Sequence, residues 1–90
     1  MIYLDYSATT PTSKEVLETF NEVSLNFIGN PNSSHKLGVE AMNLIKESTE
    51  QIKRLLNIDD CEIIYTSGSS ESNNLAIKGI CGRYKGKHII

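Results

Sequence analysis

Apolar residues recur along the chain with a spacing that changes from one stretch to the next. Residues 2 to 6 alternate as Ile2-Tyr3-Leu4-Asp5-Tyr6, which suits a short strand or an extended arm, and Ser7 to Pro11 is small and polar, a loop. Thr12 with Glu15 makes a capping box, and Val16, Leu17, Phe20, Val23 and Phe27 lay an apolar stripe along the helix it opens. Gly29-Asn30-Pro31-Asn32 ends that helix, because proline has no N–H to donate and disfavours helical geometry at Asn30. Ser33 or Ser34 is placed to cap the next one. Leu37, Ala41, Leu44, Ile45, Ile52, Leu55 and Leu56 then keep helical period for about twenty residues. On the wet side of this second helix Glu50 and Arg54 stand in the favourable i,i+4 order, and Asn57-Ile58-Asp59-Asp60 closes it.

The spacing shifts again from Cys61. Ile63-Ile64-Tyr65 has the length and β-branched content of a buried strand. Thr66-Ser67-Gly68-Ser69-Ser70 interrupts it, and helical spacing resumes at Glu71, with Ile77, Ile80 and Tyr84 three and four apart. Gly82 and Gly86 flank a further turn, and His88-Ile89-Ile90 begins another strand. A strand, a small-residue turn and a helix start together make an anion-binding geometry. The first N–H groups of a helix have no internal partner, and the macrodipole puts partial positive charge there. Gly68 allows close approach, Ser69 and Ser70 sit at the first helical positions and add hydroxyl donors to the backbone amides, and Glu71 is placed to reach back and cap the same turn. The stretch reads either as a phosphate cradle or as an ordinary strand-to-helix turn with serine caps.

Composition narrows the classes. The 90 residues make one domain at most, and a formal net charge of −2 with 22% charged residues gives no electrostatic reason to bind nucleic acid or a membrane surface. No apolar run approaches the roughly 20 residues of a membrane span, and the start lacks the basic region and apolar core of a signal peptide. Cys61 and Cys81 form no CxxC pair and have no histidine at metal-ligand spacing, so no metal site is expected; reduced thiols, packed in a strand and a helix, are the plain expectation. The chain ends on two isoleucines inside an expected strand and so reads as a fragment: a truncated α/β unit from a larger, mostly parallel sheet, with exposed apolar surface and a tendency to self-associate.

Three blocks carry a resemblance. Tyr3-Leu4-Asp5-Tyr6-Ser7-Ala8-Thr9-Thr10-Pro11 is similar to the N-terminal signature of the cysteine desulfurases, the NifS/IscS-like branch of the class-V aminotransferases. Gly29-Asn30-Pro31-Asn32-Ser33-Ser34-His35, followed by Gly38, resembles that family's second block, and Thr66 to Gly79 its third, usually written TSGATESDNLAIKG. The order and separations match and the blocks cover most of the chain. It departs at Ser69 and Ser70, where the family more often has Ala-Thr, and at Asn73, often Asp. A serine hydroxyl can stand in for that of threonine, and Ser for Ala keeps the backbone N–H.

The resemblance implies a pyridoxal-phosphate enzyme of the fold-type-I aminotransferase architecture: an N-terminal arm (1–11), a helical segment of two helices (12–60), and a strand-helix-strand start of the cofactor-binding large domain (61–90). It implies a cofactor held as a Schiff base on a lysine, L-cysteine as substrate, a persulfide-forming cysteine and L-alanine as product, in the service of iron–sulfur cluster or thio-cofactor synthesis. A cytoplasmic homodimer with a sulfur-acceptor protein as partner is expected with it, with neither nucleic acid nor membrane. The positions matching the family's phosphate contacts are Ser69 and Ser70, with Gly68 beside them. Ala8, Thr9, Asn30 and His35 are candidates for the substrate cleft; equally, Asn30 and Pro31 could simply shape a turn while the His35 ring caps a helix. No catalytic residue is expected within the 90, since the family's stacking histidine, aspartate, lysine and cysteine all fall later, and the isolated chain is expected to be inactive. Lys36, in a Ser34-His35-Lys36 context that superficially resembles the family's lysine block, opens an amphipathic helix and reads as solvated. Another class-V activity (selenocysteine lyase or aminotransferase) and a stand-alone phosphate-binding module remain as alternatives; the second lacks both the Walker lysine pattern and GxGxxG.

Overall fold

A computed structural model describes residues 1–84. Three helices follow in order: α1 (Lys14–Asn26), α2 (Lys36–Leu56) and α3 (Ser69–Arg83). The chain divides into two compact units, Met1–Asn57 with the first two helices and Ile58–Ile90 with the third.

In the first unit the arm closes on itself in a turn. Ala8 and Thr9 donate their N–H groups to the Asp5 carbonyl at 3.1 and 3.3 Å. The Tyr3 hydroxyl lies 3.0 Å from the Asp5 carbonyl and 3.1 Å from that of Thr9, and can donate to one at a time. The Tyr3 and Tyr6 rings sit 5.3 Å apart, centroid to centroid, so the arm is held by its own residues.

The cap of α1 is Ser13, not Thr12. Ser13 is extended (φ −67°, ψ 155°) and its Oγ accepts the Val16 N–H at 3.3 Å. Serine and threonine are nearly equivalent at this position, so two in succession do not reveal which one the helix uses. Phe27 ends the helix by donating its N–H to the Val23 carbonyl at 2.9 Å, three residues before the Asn30-Pro31 step. The expected stripe forms, with Val16, Phe20 and Val23 lining one side. It stays uncovered: Val16 is 57% and Phe20 66% exposed.

The loop between α1 and α2 packs tightly onto the first turn of α2. Asn30 accepts the Asn32 N–H on its side chain at 2.9 Å and the Ser33 N–H on its carbonyl at 2.9 Å. A Cβ on Gly29 would meet the Leu37 carbonyl, and one on Gly38 would meet the carbonyl oxygens of Ser33 and Asn30. Gly38 and Ala41 are the buried residues of α2, and Ala41 is the one buried hydrophobic residue among those described. The cap of α2 is neither Ser33 nor Ser34 but His35, whose Nδ1 accepts the Gly38 N–H at 3.4 Å. At the other end Asn57 takes the left-handed conformation (φ 54°, ψ 49°) and donates to the carbonyls of Arg54 and Lys53. Glu50 pairs with Lys53 at 3.6 Å rather than with Arg54.

In the second unit Ile63-Ile64-Tyr65 is not in a strand, and no strand occurs among the described residues. A ladder needs a second strand to share its N–H and C=O groups, and a run of three residues does not carry one in its own sequence. Ile63 is half-buried while Ile64 is 68% exposed. The second expected strand, His88-Ile89-Ile90, lies outside the described residues. α3 starts at Ser69, so Ser69 and Ser70 take the first helical positions as expected, and none of its residues is buried: Leu75, Ile77 and Ile80 are all more than half exposed, as is the C-cap Tyr84. Cys61 and Cys81 are exposed free thiols rather than packed ones. No described helix is long and apolar enough to cross a membrane, and no cluster of described side chains could hold a metal ion.

Candidate functional site

The turn that opens α3 is built from small and hydroxylic residues. Gly68 is the N-cap and has no side chain to cap with; its backbone is extended, and its carbonyl accepts the Ser72 N–H at 3.1 Å as the first helical bond. A Cβ on Gly68 would meet nothing within 4 Å, so the space in front of it is open. The N–H groups of Ser69 and Ser70 lie at the first two helical positions, where a helix offers them no acceptor. Both residues are exposed, and among the described residues no hydrogen bond engages either N–H or either hydroxyl. Two amides and two hydroxyls at the positive end of a helix macrodipole are the donor set that a phosphate dianion requires.

Two side-chain clasps hold the turn. Glu71 accepts on Oε2 both the N–H of Ser67 (3.2 Å) and its hydroxyl (2.6 Å). The Ser67 hydroxyl first, and its N–H second, hold the Glu71 carboxyl below the ordinary glutamate value. The reach-back of Glu71 therefore ends on Ser67, four residues before it, and not on Gly68. In the second clasp, Ser72 Oγ lies 3.1 Å from the Gly68 carbonyl, Thr66 Oγ1 lies 3.2 Å from the same oxygen, and the two hydroxyls touch each other. One hydroxyl donates to the other, which leaves a donor for the carbonyl. Asn74 Nδ2 donates to the Ser70 carbonyl at 2.8 Å.

Thr66, Ser67 and Ser72 are the residues of this turn that sequence reasoning left without a role. The signal was present in the i,i+4 and i,i+6 spacing of hydroxyl and carboxylate groups. Beside the turn lies an open hollow of about 370 Å³ lined by Ile64, Thr66, Ser72, Leu75, Ala76 and Ile80. It is mostly apolar, and Gly68, Ser69 and Ser70 do not line it, so it suits side chains rather than an anion.

The other candidates lie in the first unit. Ala8 and Thr9 belong to the Asp5 turn, and the Thr9 carbonyl is within reach of the Tyr3 hydroxyl. Asn30 commits its side-chain oxygen to Asn32, and His35 commits Nδ1 to the cap of α2. Both therefore have structural roles, and His35 keeps Nε2 for another partner. No hydrogen bond among the described residues joins the Ala8-Thr9 turn to the Asn30–His35 loop. Lys36 pairs with Glu40 at 3.8 Å on the exposed side of α2, as a solvated helix residue does.

The family model for aminotransferase class V matches residues 2–90. The cysteine desulfurase IscS of Colwellia psychrerythraea is 51% identical over 94 residues, spanning 99% of this chain and 23% of that protein. A NifS/IcsS protein homolog of Lactobacillus delbrueckii subsp. bulgaricus is 49% identical over all of this chain and 24% of its own length. The cysteine desulfurase IscS of Dictyoglomus turgidum is 47% identical, spanning 99% of this chain and 23% of that protein. The chain thus spans about a quarter of the length of the curated relatives it matches. No solved structure matches it. The chain belongs to the class-V aminotransferase family, whose architecture is the α/β fold of type I.

Proposed function

We propose that these residues are the N-terminal part of a pyridoxal-phosphate-dependent cysteine desulfurase, and that the opening turn of α3 holds the cofactor's phosphate. The observation that carries the reading is identity near one half, across almost the whole chain, to proteins named cysteine desulfurase. The unengaged N–H groups and hydroxyls of Ser69 and Ser70 support the phosphate assignment, because this donor set fits a dianion. When bound, the cofactor supplies an electron sink that lets the bond to the substrate's sulfur break.

In this reading Gly68, Ser69 and Ser70 bind and orient the phosphate through backbone N–H groups and the two hydroxyls. That fixes the far end of the cofactor so that its reactive end meets the substrate in one orientation. Ala8, Thr9, Asn30 and His35 stand at the substrate cleft, His35 through its Nε2 edge. A cysteine thiol elsewhere in the protein takes the sulfur of L-cysteine, leaving L-alanine and a persulfide, which passes to an acceptor protein for iron–sulfur cluster or thio-cofactor synthesis. In the whole protein the class-V α/β sheet supplies the neighbour that Ile63-Ile64-Tyr65 needs to form a strand. The protein works as a cytoplasmic homodimer.

A full-length protein carrying these residues, loaded with pyridoxal phosphate, is expected to form L-alanine and sulfane sulfur in equal amounts from L-cysteine. The 90-residue chain alone is expected to form neither. A loaded full-length protein that consumes no L-cysteine, or acts only on its selenium analogue, would overturn the assignment.

A further inference from the structure

The binding turn carries more polar chemistry than the phosphate contacts use. A carboxylate stands three residues into a helix whose start is offered to an anion, where its charge opposes the ligand's. The Glu71 carboxylate is not idle: one oxygen takes both donors of Ser67. On the next residue the Ser72 hydroxyl reaches back to the Gly68 carbonyl, beside Thr66. Four side chains thus engage the carbonyl of the Gly68–Ser69 peptide and the residue before Gly68, and the N–H of that peptide belongs to the binding set. Gly68 cannot fix this peptide by itself, since it has no side chain and no atoms crowd its Cβ position.

We propose that Glu71 and Ser72 are positioning residues for the phosphate turn, acting through Ser67 and the Gly68 carbonyl to aim the amides of Ser69 and Ser70. This rests on the cofactor reading above. Glu71 works as a hydrogen-bond acceptor, and its charge is a cost that the acceptor role offsets. Gln keeps an acceptor of the same reach and removes the charge, whereas Ala removes both. Val and Thr at position 72 share one branched shape, of which Thr keeps the donor and Val does not.

The test uses a full-length protein carrying these residues, with equilibrium binding of pyridoxal phosphate to the cofactor-free form and the ³¹P resonance of the bound phosphate as readouts. Glu71→Ala and Ser72→Val are expected to raise the cofactor dissociation constant about 5–20-fold, by loss of one charged or neutral hydrogen bond's worth of order, and to shift the ³¹P resonance. Glu71→Gln and Ser72→Thr are expected to stay within about threefold of the parent, which is roughly the effect of one helix-terminal charge. The Michaelis constant for L-cysteine should not move in any of them. Ser67→Ala, which deletes one hydroxyl from the surface, serves where Glu71→Ala does not fold and should give a smaller loss in the same direction. Two failures are distinguishable. If Ser70→Ala weakens the cofactor but Glu71→Ala, Ser67→Ala and Ser72→Val do not, the positioning role falls and the phosphate site stands. If Ser69→Ala and Ser70→Ala change neither affinity nor resonance, and the Ser69 and Ser70 amide resonances of the parent do not move when pyridoxal phosphate is added, the phosphate site itself falls. Glu71→Gln as weak as Glu71→Ala would make charge, not hydrogen bonding, the operative property, and would also overturn the proposal.

Discussion

The Ser33 carbonyl oxygen occupies the place where a side chain on Gly38 would begin. Gly29 stands in the same relation to the Leu37 carbonyl, so the loop before α2 and the first turn of α2 touch backbone to backbone at two points. The obstacles are main-chain atoms, which cannot swing aside as a flexible side chain can. Gly38→Ala is therefore expected to cost about 1–3 kcal/mol, the usual penalty for overpacking. The midpoint of denaturant unfolding of a full-length protein carrying the change measures it. A midpoint equal to the parent's would show that the loop can lift off the helix freely.

The assignment of the α1 cap separates two adjacent residues. Ser13→Ala removes the acceptor of the Val16 N–H and should cost about 0.5–2 kcal/mol, seen as faster amide exchange at Glu15 and Val16. Thr12→Ala should leave exchange there unchanged. The reverse pattern would return the cap to Thr12.

Acid should loosen the start of α3. The Ser67 hydroxyl and N–H favour the ionised form of Glu71, so its folded-state titration lies below the unfolded one. The stabilisation is fully present above the unfolded value of about 4.3 and is lost as pH falls through the lower folded value. The amide resonance of Ser67, followed against pH, should titrate with a midpoint below that of an unstructured glutamate and should not titrate in Glu71→Gln. A midpoint at or above the unstructured value would show that the clasp is absent in solution.

The uncovered stripe on α1 bears on how the 90-residue chain behaves alone. Phe20 and Val16 stand in water on the same side of the helix, and contiguous apolar surface of this kind drives association. The sedimentation-average mass is expected to rise with concentration, and Val16→Glu with Phe20→Glu to reduce the rise. A monomer throughout the micromolar range would contradict this.

What could be foreseen from the residues alone depends on how local the determining forces are. The helical period from Leu37 to Leu56 needs no information from elsewhere, and α2 spans that stretch. Caps were legible only to within a residue or two. Thr12 and Ser13 are chemically degenerate as caps, and Ser33 is drawn into the Asn30 turn, which leaves His35 to cap α2. Ile63-Ile64-Tyr65 has strand composition without a strand, because a ladder is a property of two segments and composition reports on only one. At the candidate site, the glycine and the two following serines stood out because a helix start is a local structure. The pairing of Ser67 with Glu71 and of Thr66 with Ser72 did not, because each hydroxyl has several acceptors within a turn of it and only coordinates choose among them.

The two clasps around Gly68 are made among the turn's own residues and need no ligand atom. An incoming anion therefore does not have to freeze a floppy loop, and the conformational entropy of that loop is already lost in folding. Such a preorganised turn should capture its ligand in a single kinetic phase whose rate is set by encounter and not by rearrangement.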